Sequence, residues 1–353
     1  MSRTAIVFSP KYYEHKTGRG HPESAKRLVS IINELRRWKP STGSHWQFVS
    51  PQMARLEDIA LVHGMDYISF VQKFCESGGG ILDSGDTVAS RESFKVALLA
   101  VGGAIKASDL VFRGEFENAF ALVRPPGHHA GKFSACGFCI FNNVAIVAEH
   151  LIVRHGLKRV LILDIDAHHG NGTQEIFYDT NKVLYISLHQ DPRGFPGVGF
   201  VDEIGDGEGL GYNVNIPLPF GTNDSIYLKA FKEVVKPIVK QYKPQFMLIS
   251  AGLDGHYMDS IGNLRLSTLC YQKIYEMMTP LASEVCNGKI VSVLEGGYNS
   301  KVIGKIAAAT IAVMSGERYH FEDNMQASSE RIIKRGKKVI EEVKKVHSAF
   351  WSL

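Results

Sequence analysis

The segment Arg159-Val160-Leu161-Ile162-Leu163-Asp164-Ile165-Asp166-Ala167-His168-His169-Gly170-Asn171-Gly172 constrains the fold more than any other. Every side chain from Val160 to Leu163 is apolar, so a strand here needs cover on both faces, which is the condition of a parallel sheet layered by helices. Further strand-like runs at 4–8, 119–123, 183–188, 245–250 and 289–294 alternate with amphipathic stretches at 22–38, 55–75, 91–111, 143–155, 225–242, 267–287 and 301–315. This alternation predicts one α/β domain: an open, mostly parallel sheet covered by helices on both faces. No internal repeat, low-complexity tract or linker divides the chain. One folded unit over 1–320 is expected, followed at 321–353 by an amphipathic helix packed on it. In that tail, Ile332, Ile333, Val339, Ile340, Val343, Val346 and Phe350 recur near helical spacing among lysines.

Composition narrows the class. With 44% hydrophobic and 22% charged residues and a net charge of +4, the chain reads as an ordinary enzyme and not as a polyelectrolyte that binds nucleic acid. The apolar run in the first ten residues is too short for a signal sequence, and no stretch of about 18 uninterrupted apolar residues suggests a membrane span. Five cysteines, odd and sparse, fit reduced thiols and a cytoplasmic protein. Cys136-x-x-Cys139 has no second CxxC and reads as packing. Gly205 to Gly211 lacks phosphate-loop spacing and reads as a surface turn.

Chemistry gathers at the ends of the apolar runs. Alternate residues of an extended chain project to one side, so Asp164, Asp166 and His168 converge beyond the carboxyl end of their strand, where ligands collect in open parallel sheets. Carboxylate oxygens with an imidazole nitrogen suit Zn²⁺ or a related divalent ion. A second apolar run, 246–251, leads into Gly252-Leu253-Asp254-Gly255-His256, which makes Asp254 the natural third ligand beside Asp166 and His168. That set leaves one tetrahedral position open, as in a catalytic site. Two adjacent histidines follow two prolines in Arg124-Pro125-Pro126-Gly127-His128-His129. Alone, they are compatible with a turn, a metal site or acid/base work. Val293-Leu294-Glu295-Gly296-Gly297-Tyr298 lifts a phenol that either packs or stabilises an oxyanion.

Together with Gly137-Phe138-Cys139-Ile140-Phe141-Asn142-Asn143 and Ser187-Leu188-His189, these motifs resemble the histone deacetylase family, which includes the acetylpolyamine amidohydrolases and has the arginase/deacetylase fold. The resemblance spans roughly residues 1 to 316. It implies one catalytic Zn²⁺ on Asp166, His168 and Asp254, acid/base work by His128 and His129, and oxyanion stabilisation by Tyr298. It also implies that Asp164 is the partner of His128 and Asn171 that of His129, and that Phe138 and Phe195 wall an acyl-lysine tunnel beside Gly137. Asp164, Asp166, His168, Ser187 and Leu188 match the shell of a structural K⁺. Asp86, in a Gly/Asp loop, matches a rim carboxylate that orients substrate amides, with an ordinary Asx-turn as the alternative. Some family members carry Asp where this chain has Asn171. The uncharged amide is expected to leave His129 nearer neutral and readier to accept a proton.

The activity implied is removal of acetyl or related acyl groups from lysine side chains of proteins or peptides, or from similar N-acetylated amines, with release of acetate. The alternatives are an acetylpolyamine deacetylase, a binuclear manganese ureohydrolase and a non-catalytic acyl-lysine binder. The ureohydrolase needs further bridging acids, and His169-Gly170-Asn171 does not supply them.

Overall fold

The computed structural model describes residues 4–38, 45–324 and 326–353. The strands in chain order are β1 (Thr4–Val7), β2 (Trp46–Val49), β3 (Gly79–Ile81), β4 (Val88–Ser90), β5 (Asn118–Ala121), β6 (Val160–Asp164), β7 (Val183–Gln190), β8 (Asn213–Leu218), β9 (Phe246–Ala251) and β10 (Ile290–Leu294). Eight of them form one sheet in the order β2-β1-β5-β10-β9-β6-β7-β8, with every pairing parallel. A small antiparallel hairpin pairs β3 with β4. The apolar strands are wholly buried, as runs without alternation require. Two helix groups cover the sheet: Ser93–Phe112 packs with Asn143–His155, and Lys26–Arg37 and Thr268–Cys286 pack on Ile303–Ser315.

The chain runs outward from β6 to β7 and β8, then returns to the other side of β6 for β9 and β10. This reversal opens a crevice at the carboxyl ends of the central strands, where connecting loops diverge. Register aligns the chemistry there: Asp164 pairs with Ser187 on one side and Ser250 on the other, and Leu294 pairs with Ala251.

Several elements differ from the sequence expectation. The edge strands β2 and β8 lie outside the expected set. The helix expected over 55–75 is two helices, Leu56–Ile59 and Met65–Glu76. Apolar spacing continues through Leu61 and Val62, but Gly64 is extended (φ −63°, ψ 140°) and donates to the Lys132 carbonyl, so the helical ladder breaks. The helix expected over 225–242 carries a π-helical turn at Phe231–Val235. The tail forms the helix Glu330–His347, which lies against β8 and the helix Asp224–Ala230 and buries Ile340 and Val343. All five cysteines are free.

A buried charge cluster fastens the amino-terminal segment to the crevice. The Glu23 carboxylate accepts from Arg124 Nε at 2.6 Å and from Arg27 at 3.0 Å. Arg124 also donates to the Tyr12 and His15 carbonyls, and Arg27 to those of Gly297 and Glu295. Burial alone raises the pKa of Glu23, but Arg124, His15 and Arg27 outweigh it and hold it well below the usual carboxylate range. Replacing Glu23 with Ala strands two buried guanidinium groups, so Glu23→Ala is expected to lower unfolding free energy by about 3–5 kcal/mol, read from the urea midpoint at constant m-value.

Candidate active site

Beyond the ends of β6, β9 and β10, Asp166, His168 and Asp254 come together, all buried, with one ligand atom of each within 4.8 Å of the others. His168 Nδ1 lies 2.9 Å from Asp254 Oδ2 and 3.4 Å from Asp166 Oδ1. Two buried like charges this close need compensation. Backbone donors supply part of it: Gly296 N–H and His168 N–H point at Asp166, and Ala167 N–H at Asp254. Glycine is required for this approach, because a Cβ on Gly252 would sit 2.0 Å from Asp166 Oδ2, and one on Gly296 at 2.4 Å. Burial and the charge of Asp166 push Asp254 up to about 6. Burial lowers His168, but the flanking carboxylates outweigh it and lift it to about 10. Two carboxylates and one imidazole with such mutual fields have the donor set and the electrostatics of a site for a divalent cation of zinc type.

The adjacent histidines lie 4.0 Å apart, ring centre to ring centre, in opposite environments. His128 Nδ1 is 3.0 Å from Asp164 Oδ2, and its Nε2 is 3.8 Å from Asp166. Burial disfavours its charge, but Asp164 and Asp166 prevail and raise it to about 10. His129 Nδ1 is 2.8 Å from Asn171 Oδ1, and burial together with the charge of His128 holds it well below 6.5. The backbone beneath is set by Glu295, whose Oε2 accepts from Gly127 N–H and His128 N–H.

Tyr298, His129 and His168 face a cavity of about 310 Å³ that is also lined by Asp86, Gly137, Phe138, Phe195 and Ile261. Phe138 reaches it from a tight turn. Cys136 and Cys139 exchange both backbone hydrogen bonds around Gly137 (φ 52°) and Phe138 (φ 69°), a left-handed pair that non-glycine residues adopt rarely. Thr87 Oγ1 accepts from Phe138 N–H and secures the turn. Phe195, 38% exposed, lies with its ring 4.9 Å from that of His129 and 6.0 Å from that of His168. The Tyr298 backbone is held by Asp259, and Arg27 lies 5.0 Å from its ring centre. Burial raises its phenol well above 10 despite Arg27, so the hydroxyl remains a donor.

Residues 21–314 match the model of the histone deacetylase domain. The chain belongs to the histone deacetylase family. A probable deacetylase of Archaeoglobus fulgidus is 40% identical over 99% of this chain and 98% of its own. A histone deacetylase-like amidohydrolase of Pseudomonas aeruginosa is 35% identical over 86% of this chain and 79% of its own. The crystal structure of the HDA15 HD domain superposes with a TM-score of 0.88 at 35% identity, covering 99% of this chain and 96% of that one.

The structure brings together Asp166, His168, Asp254, His128, His129, Asp164, Asn171, Tyr298, Gly137, Phe138, Phe195 and Asp86. Asp83 forms an Asx-turn, its Oδ1 accepting from Gly85 N–H and Thr87 N–H, and Asp86 lines the cavity. Ser187 and Leu188 lie deeper: Ser187 Oγ is 2.8 Å from His189 Nδ1, and the Leu188 carbonyl accepts from Tyr227. Sequence reasoning assigned no role to Ile261, Arg27 or Asp259. Glu295 stands in the sequence only as a member of the motif that ends in Tyr298.

In metal-free protein, His128 is expected to remain an imidazolium at pH 8 and His129 to be neutral at pH 6, as read from ring ¹⁵N shifts. Neutral His128 at pH 8 would show that Asp164 and Asp166 do not control it.

Proposed function

We propose that this chain, a deacetylase or amidohydrolase by its family, is zinc-dependent and removes acetyl or related acyl groups from lysine side chains or similar N-acetylated amines, releasing acetate. The observation that carries this reading is the histidine pair with contrasting partners, His128 on Asp164 and His129 on Asn171, beside the Asp166–His168–Asp254 cluster and a cavity lined by Phe138 and Phe195.

Asp166, His168 and Asp254 would hold the zinc. When bound, zinc supplies Lewis acidity toward an amide carbonyl and toward water. His129, neutral and oriented by Asn171, accepts a proton from the attacking water. Tyr298 donates its hydroxyl hydrogen to the oxyanion that forms on the former carbonyl oxygen. His128, kept cationic by Asp164, stabilises that charge. A proton returned from the histidine pair to the departing nitrogen completes cleavage to acetate and free amine. Phe138 and Phe195 with Gly137 favour a slender apolar linker, and Asp86 at the rim has a carboxylate available to substrate amides.

A structural potassium ion on Asp164, Asp166, His168, Ser187 and Leu188 belongs to the same proposal. Its support is the register pairing of buried Asp164 with buried Ser187, which places two oxygen-bearing side chains on neighbouring strands at the same level. We take 1–320 as the unit that carries the chemistry and 321–353 as an appendage on it. A cytoplasmic location is inferred from archaeal and bacterial relatives, although a plant relative is named chloroplastic. No helix among the described residues is long and apolar enough to cross a membrane.

Turnover of acetyl-lysine peptides, acetylpolyamines and longer acyl-lysines by protein of measured metal content tests the reading. Release of acetate or longer acid is expected from at least one class, and binding without turnover of any would replace it with the acyl-lysine binder. Tyr298→Phe removes one oxyanion donor and little volume, so kcat is expected to fall about 10²- to 10³-fold with metal content unchanged. Asn171→Asp places a carboxylate on His129 and favours its protonated form, so the acidic limb of kcat/KM is expected to move to higher pH. An unmoved limb with reduced activity would leave Asn171 only a loop-fixing role.

A further inference from the structure

A second cluster of metal-ligating side chains lies away from the crevice. The helix Asn143–His155 begins beside the active site, where the Asn142 side chain donates to the Ala130 carbonyl, and runs about 18 Å along its axis to His155. At that far end, His150 Nε2 lies 3.0 Å and His155 Nε2 2.8 Å from the same oxygen, Oδ1 of Asp109, which projects from the last turn of the helix Ser93–Phe112. The three ligand atoms all lie within 4.8 Å of one another. Tetrahedral zinc, with bonds of about 2.0–2.1 Å, has ligand-to-ligand edges of about 3.3 Å, so small side-chain adjustments suffice.

The two rings are held in different ways. Phe112 stacks on His155 at 4.0 Å between centroids and 26° between planes. His150 meets His155 edge-on at 78°, so two differently oriented imidazoles offer the same nitrogen to one point. Both helices end here, and the negative ends of their dipoles favour a cation. Arg113 opposes it, but its guanidinium lies 3.5 Å from Oδ2, on the other side of the Asp109 carboxylate. The three side chains are 11–19% exposed, so a solvent ion can reach them and water can complete the coordination.

We propose that Asp109, His150 and His155 form a second, non-catalytic site for a borderline divalent transition-metal ion, with zinc as its natural occupant, that staples the ends of the two helices. Two imidazoles and one carboxylate select zinc-like ions over magnesium or calcium, which take oxygen shells. His150 Nδ1 is buried without a hydrogen-bond partner among the described residues. A ligating histidine usually donates its other N–H to an acceptor, and loss of such support weakens affinity by about 10- to 100-fold, so this site is the weaker of the two.

Zinc titration of the catalytically loaded enzyme, followed by metal competition with a chromophoric chelator and by thermal denaturation, tests the assignment. Wild type is expected to take up a second equivalent with a rise in Tm. His155→Ala is expected to lose both while turning over substrate normally, and Asp109→Asn, which keeps side-chain volume, is the companion variant if His155→Ala folds poorly. Asp254→Ala is expected to lose the catalytic ion and keep the weaker one. Equal second-equivalent binding by wild type and Asp109→Asn, or no second equivalent in wild type, would reduce the cluster to a carboxylate shared by two histidines.

Discussion

Four carboxylates, Asp164, Asp166, Asp254 and Glu295, are buried together at the carboxyl ends of three adjacent strands. Such a concentration of like charge opposes folding unless each oxygen finds a donor or a cation. Much of the crevice answers that requirement. Main-chain N–H groups of Gly127, His128, Ala167 and Gly296 aim at these oxygens, His128 is held cationic among them, and glycines admit close approach where a methyl group would collide. Burial still lifts Glu295 to about 7, although His128 and two backbone donors oppose the rise. The centre is therefore poised for positive charge by the way the strands end.

Legibility in the sequence followed the strength of the local pattern. β6, β9 and β10 were readable because uninterrupted apolar residues leave few alternatives to a doubly covered strand. β2 escaped because an edge strand of four residues with exposed Gln47 and Phe48 has no such pattern. β8 escaped because Asn213 and Asn215 interrupt it: their amides donate to Gln174, a partner that lies far away in the chain. The break near Gly64 was hidden for a similar reason, since apolar residues on both sides continue the helical spacing.

Within the site, residues that follow a strand directly could be placed, because strand direction and alternation say where they point. Residues recruited across the fold could not. Glu23 acts through Arg124, 101 positions away, and through contacts that Arg27 makes about 270 positions away. Ile261 lines the cavity from an irregular loop without periodicity. Asp109, His150 and His155 carry no familiar spacing, because the two histidines are five residues apart on their helix and become neighbours only where it ends.

The two aromatic sides of the cavity differ in mechanical stiffness. Phe138 sits on a doubly bonded turn whose left-handed backbone admits few alternatives, and Thr87 pins its amide. Phe195 is partly open to solvent and belongs to a surface loop braced mainly by Asp191, Glu203 and a short bond from Gly197 to Pro192. A bulky guest therefore meets one unyielding side and one compliant side. Any widening of the cavity is directional, with displacement taken up by the Phe195 loop while the alignment of Phe138 with Tyr298 is preserved.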